Sequence, residues 1–167
     1  MKSLHVLNAE VNGITIAFQE HGSGPCLVLI NGFASTMDMW NPRVIEAFAE
    51  HFRVIIFDNR GTGLSSGSNE PCTIPLFAGD TLALMDALGI TRAHLLGHSM
   101  GTCIAQEIVL AEPERADRLI LVAGTCGGER MIRMQPEIWE TLSDKSGSGL
   151  DLANRMYIGF SYDSEFL

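Results

Sequence analysis

The chain has 167 residues, 46% of them hydrophobic, and a formal net charge of −9. That length and apolar content fit one domain with a sizeable core and exclude a disordered chain. The acidic balance speaks against a nucleic-acid groove or an anionic membrane surface as a partner.

The opening residues, "MKSLHVLNAE", show no long apolar region and no cleavage-like site, so no signal peptide is expected. No uninterrupted apolar run approaches the roughly 20 residues of a membrane span. Four cysteines, Cys26, Cys72, Cys103 and Cys126, lie far apart, without a CxxC pair or a histidine at zinc-ligand spacing. They are expected to be reduced thiols in a cytoplasmic protein that needs neither metal nor cofactor.

In chain order, Gly13–Glu20 reads as a strand with mixed faces and Gly22–Pro25 as a turn. Cys26–Ile30, Arg53–Asp58, Ala93–Gly97 and Arg118–Ala123 are apolar almost throughout, the pattern of strands buried on both faces of a parallel sheet. Helices fall between them. Asn41 can cap one that begins at Pro42 and turns Ile45 and Phe48 to one side. Phe77, Thr81, Leu84 and Leu88 mark the buried face of a second, stopped by Gly89. Met100–Ala111 is a third, with Ile104 and Ile108 on one face and Ala105 and Val109 on another. The alternation predicts an α/β fold, a mostly parallel sheet of about six strands covered by helices on both faces. After Ala123 the character changes. Helical stretches are expected near residues 136–143 and 150–160, on either side of "SGSG" (Ser146–Gly149). The expected division is a core at 1–128 and the start of a helical cap at 129–167.

Chemistry concentrates at "GHSMG", Gly97–Gly101. A nucleophile at a tight strand-to-helix bend sits in a strained backbone conformation, and residues two positions away on either side crowd it. Glycine there removes the clash, which is the physical content of the G-x-S-x-G spacing. The predicted strand Ala93–Gly97 precedes the motif and the predicted helix Met100–Ala111 follows it, so Ser99 is the candidate nucleophile. The competing reading makes Ser99 an ordinary helix N-cap. Acyl transfer also needs backbone N–H groups aimed at the oxyanion. The residue after the nucleophile, Met100, supplies one candidate. Phe33, in "LINGFAST" after the strand Cys26–Ile30, supplies the other.

These elements resemble the α/β-hydrolase fold family, and more narrowly its enol-lactonase, haloperoxidase and small-esterase branch. Asn31-Gly32-Phe33, "DNRGTGLS" (Asp58–Ser65) and "GHSMG" are similar to the family's H-G-x, D-x-R-G-x-G-x-S and G-x-S-x-G, in the same order. The likeness covers about residues 12 to 128. Asn31 stands where the family usually has histidine, a position that generally supports the loop. Gly61, Gly63 and Gly67 look superficially like a dinucleotide loop. The third glycine comes one residue late, and Pro71 and Pro75 intervene before a helix, so nucleotide binding is not expected. Asp58 and Arg60 read instead as organisers of that loop.

The resemblance implies a serine hydrolase acting on carboxylic esters or lactones through an acyl-enzyme. It also implies that the triad acid and histidine follow two later strands, after a cap. No histidine follows Ser99 in this sequence. His98 adjoins the nucleophile, but neighbours on a turn point apart. His94 is expected to be packed or edge-exposed, and nothing in the spacing of His5, His21 or His51 leads to Ser99. Glu129 is a conceivable acid but idle without a base, and Asp144, Asp151 and Asp163 read as solvated residues. Phe33, Trp40, His98 and Trp139 are the candidate substrate-binding residues. Met37, Met131, Met134, Met156 and Tyr157 are further apolar candidates for the pocket lining. The alternative function is a non-catalytic, hydrolase-like binding or interaction fragment. Its expected surface is the edge of strand 118–123, open to a second copy or to a complementing C-terminal segment. A third possibility is cofactor-free oxidation or C–C cleavage at the same serine.

Overall fold

A computed structural model describes residues 5–127 and Glu140. The chain divides into two units, Met1–Glu129 and Arg130–Leu167, so the description below is of the first. The expected helices at 136–143 and 150–160, and the cap they would form, lie outside the described residues.

Six strands form one sheet in the order β1-β2-β4-β3-β5-β6. They are β1 (Leu7–Val11), β2 (Ile14–His21), β3 (Cys26–Ile30), β4 (Arg53–Phe57), β5 (Ala93–His98) and β6 (Ala116–Val122). β1 and β2 pair antiparallel, β2 pairs antiparallel with β4, and β3 pairs in parallel with β4 and β5, as β5 does with β6. β1 precedes Gly13, where the sequence pattern puts the start of the first strand. It forms because Asn12 and Gly13 take φ values of 47° and 74°, the positive pair that a two-residue type I′ hairpin requires.

The continuous apolar runs of β3, β4 and β5 are explained by burial on both sides; β6, expected to be buried likewise, is instead exposed among the described residues, because it lies at the sheet edge. Val28, Ile30, Ile55, Phe57 and Leu95 pack against α2 (Ile74–Ala87) and α3 (Met100–Ala111) through Phe77, Leu84, Met85, Ile104 and Ile108. The alternate residues Leu27, Leu29, Val54, Ile56 and Leu96 face the other way, toward Ile45 of α1 (Pro42–Ala49). Period-two alternation thus feeds two cores at once. No described helix is long and apolar enough to cross a membrane.

Local signals set the helix starts. Asn41 Oδ1 accepts from Arg43 N at 3.0 Å, with Pro42 as the first helical residue. Thr73 Oγ1 accepts from Leu76 N at 3.2 Å and caps α2. Replacing Thr73 by alanine is expected to lower unfolding free energy by about 1 kcal/mol, read as a lower urea midpoint with an unchanged slope. Gly89 follows the end of α2 with φ 67°. Thr81, on the buried face of α2, satisfies its hydroxyl on Phe77 O at 2.8 Å.

Candidate active site

Three loops meet in a row at the carboxyl edge of β4, β3 and β5, because those strands are parallel neighbours. The turn from β5 into α3 contains Ser99, whose backbone stands at φ 53°, ψ −120°. A non-glycine residue in that region is strained, and such strain persists only where the surroundings enforce it. Here they do. Ser99 N donates to Val122 O at 2.9 Å, and Ser99 O accepts from Thr102 N at 3.0 Å and from Thr102 Oγ1 at 2.7 Å. A methyl group on Gly97 would run into Gly101 O, and one on Gly101 into Ile30 O. The two glycines of the motif are therefore needed for close approach, as the spacing argued. Ser99 makes no side-chain capping bond to α3, so the plain N-cap reading of this serine fails. The positive end of the α3 dipole lies beside it.

The loop that leaves β3 runs close to this bend. A Cβ built on Gly32 would lie 3.0 Å from Ser99 Cβ and 3.4 Å from Ser99 Oγ, so only a glycine leaves space above the hydroxyl there. Phe33 follows at once and is exposed, while Met100 is the first residue of α3. Met100 is thus the chain neighbour of Ser99, and Phe33 the chain neighbour of Gly32, which faces Ser99. Asn31 is buried. Its Nδ2 donates to Phe57 O at 3.4 Å, and its carbonyl accepts from Asn59 Nδ2 at 3.3 Å. An asparagine thereby ties this loop to the end of β4.

Beyond β4, the buried Asp58 carboxylate accepts from Met37 N at 2.6 Å and from Leu64 N at 2.8 Å. Arg60 makes a two-pronged pair with Asp80 of α2, Nε to Oδ2 and Nη2 to Oδ1, both 2.7 Å. Ser68 and Glu70 receive Nη1 at 2.8 and 3.3 Å, and Asn12 Nδ2 adds a bond to Asp80 Oδ1 at 3.0 Å. The Asp80 hydrogen bond is the first cause that raises the Arg60 pKa, holding the guanidinium charged. These contacts make "DNRGTGLSSG" a brace for the neighbouring loop.

One apolar candidate for the lining is corrected. Met37 is 1% exposed and packs with Leu29 and Ile45 beneath the loop, because Asp58 draws its N–H inward. Trp40 is half-buried and meets the exposed His98 ring edge-on, with centroids 6.1 Å apart. Trp40 and His98 thus touch beside the bend, with Phe33 in the same loop as Trp40. Trp139, Met131, Met134, Met156, Tyr157 and Glu129 lie outside the described residues, as do Asp144, Asp151 and Asp163.

Topology decides the remaining histidines. His21 aligns with Val54 near the start of β4, His51 lies just before β4, and His94 is at the start of β5. All three are at the edge of the sheet opposite Ser99. At about 3.3 Å per residue, His94 is roughly 16 Å from the bend. Its ring meets Phe52 edge-on at 5.5 Å. His5 precedes β1, four strand spacings from β5, or roughly 19 Å at about 4.8 Å each. Burial lowers the His21 pKa and pushes the Cys26 thiol up to about 11, so that thiol is not a competing nucleophile at neutral pH. All four cysteines are free thiols, and no cluster of metal-ligating side chains occurs among the described residues.

Residues 25–158 match the family described as alpha/beta hydrolase fold. A protein of Azorhizobium caulinodans named as a carbamate hydrolase, RutD, is 34% identical over 78% of this chain and 49% of its own length. A Mycobacterium tuberculosis protein named as a non-heme bromoperoxidase, BpoC, is 37% identical over 66% of this chain and 42% of its own. The crystal structure of an enol-lactonase from Burkholderia xenovorans LB400 superposes with a TM-score of 0.65 and 35% identity, covering 68% of this chain and 45% of that one. The chain spans about half the length of the curated relatives it matches.

Proposed function

This chain belongs to the alpha/beta hydrolase fold family, and we propose that it carries the acylation site of a serine hydrolase for carboxylic esters or lactones. The hydrolase relatives and the enol-lactonase structure support the general reaction class. The observation that carries the finer reading is Ser99, forced into a left-handed bend, not used as a helix cap, and facing Gly32. In the proposed step Ser99 Oγ forms a bond to the acyl carbon, and the Phe33 and Met100 N–H groups receive the oxyanion. Collapse breaks the ester or lactone C–O bond, and the hydroxyl proton ends on the departing oxygen. Water then cleaves the acyl-enzyme. Trp40 and His98, which touch beside the bend, together with the exposed Phe33 of the same loop as Trp40, suit an apolar acyl or ring-containing substrate, and a cytoplasmic location with free thiols completes the reading.

The test is covalent labelling with an alkyl fluorophosphonate. With free imidazole supplied as the base, wild-type chain is expected to gain one phosphonyl adduct at Ser99 by mass spectrometry, with loss of fluoride, and Ser99→Ala none. A folded wild-type chain that stays unlabelled would remove the reading.

A second reading has its own observation. Leu119, Ile120, Leu121 and Val122 of β6 are all 37–44% exposed, on both faces of a strand with no outer partner among the described residues. Such an edge recruits another strand, which suits an interaction role through a second copy or a complementing segment. A monodisperse monomer in sedimentation, with fast amide exchange along β6, would count against it.

A further inference from the structure

The turn that carries Phe33 is closed on itself. Gly32 O accepts from Ser35 N at 3.4 Å, and Ala34, the third residue of that turn, has φ 53°. Positive φ at the third position is the mark of a type II turn, which normally places glycine there. In a trans peptide the carbonyl and the N–H point in opposite directions. Anchoring Gly32 O on Ser35 therefore turns the Phe33 N–H of the same peptide to the other side. The neighbouring peptide is held as well. Asn59, 2% exposed, makes its one side-chain hydrogen bond among the described residues to Asn31 O at 3.3 Å.

We propose that Ala34 and Asn59 are positioning residues: the turn at Ala34 orients the Gly32–Phe33 peptide and Asn59 holds the preceding Asn31–Gly32 peptide, which together fix the aim of the Phe33 N–H beside Ser99. The inference rests on the reading of Ser99 as nucleophile and deepens it. Donors aimed in advance stabilise developing charge without reorganisation, and small errors of position cost rate.

The experiment compares Ala34→Val, Ala34→Gly, Asn59→Leu and Thr73→Ala with wild type. Each is measured for fluorophosphonate inactivation with free imidazole supplied as the base, urea unfolding and the ¹H–¹⁵N spectrum. Ala34→Val and Asn59→Leu are expected to slow the maximal inactivation rate at least tenfold, with half-saturation within twofold, and to move the Phe33 amide resonance. Ala34→Gly, which adopts the turn without strain, keeps both. Thr73→Ala controls for lost stability and keeps the rate. An unmoved Phe33 resonance with an unchanged rate in Ala34→Val and Asn59→Leu overturns the proposal. If the wild-type chain is not labelled at all, the Ser99 reading fails. The Phe33 resonance in Ala34→Val and Asn59→Leu then decides the positioning by itself.

Discussion

Replacing Asp80 by alanine is expected to destabilise the chain by about 3–5 kcal/mol, the usual result of leaving one partner of a buried ion pair uncompensated. The side chains of Arg60 and Asp80 are each 2% exposed. After the substitution only Ser68 and Glu70 would remain on the guanidinium, and Glu70 is 65% exposed on its side chain, too wet to replace a buried partner. Against a typical total of about 5–15 kcal/mol, that loss is a large fraction of what keeps the domain folded. The pair itself is a different quantity from the damage done by breaking it. Swapping both residues for apolar ones of similar volume, Arg60→Met with Asp80→Leu, is expected to recover most of the loss, because desolvating two charges offsets most of their attraction. Urea unfolding of the two single variants and the double closes the cycle. A loss below about 1 kcal/mol for Asp80→Ala would show that water reaches Arg60 and that the brace between the β4 loop and α2 is not what the geometry says.

That brace also shows what a sequence does and does not disclose. Strands β3, β4 and β5 were legible because burial on both faces leaves a run that no turn or surface helix produces; β6 carries a similar apolar run although its side chains are exposed among the described residues. The bend at Ser99 was legible because two glycines at fixed spacing answer a local steric demand, here against Gly101 O and Ile30 O. Contacts between distant loops were not. Nothing near Met37 indicates that Asp58, 21 residues later, takes its N–H at 2.6 Å and pulls the side chain into the core. An apolar residue in a loop beside a candidate cleft reads as lining until that partner is known. Asp80 is similar: an acid within a helix gives no local sign that Arg60 and Asn12 converge on it. The β1 strand is another matter, since its signal was present. Asn12-Gly13 stands between Leu7–Val11 and Ile14–His21, and an Asn-Gly pair between two such runs marks a hairpin from sequence alone. The strained Ala34 is the least legible of all, because alanine is the last residue to suggest a left-handed turn.

Turnover is expected to be very low in spite of the assembled bend. A serine hydroxyl needs a base, and the sequence contains five histidines. His21, His51 and His94 lie at the far edge of the sheet, and His5 is four strands away from β5. His98 is adjacent to Ser99, but it is turned against Trp40. In triad enzymes, removal of the histidine alone lowers kcat by about 10⁶, while oxyanion stabilisation and binding keep about 10³–10⁴ over water. Hydrolysis of p-nitrophenyl acetate by this chain is therefore expected about six orders of magnitude below that of a complete serine esterase. Removing one oxyanion donor ordinarily costs about 10²–10³, so the residual rate should depend on the loop at Phe33 more than on any titrating group. Its pH profile should accordingly rise with hydroxide, without the inflection near neutrality that an imidazole base produces. Adding free imidazole should raise the rate of wild type and leave Ser99→Ala at the buffer's own imidazole-catalysed rate, since a small base can supply what none of the five histidines is placed to supply. A rate matching ordinary esterases would mean that His98 leaves Trp40 and serves as the base.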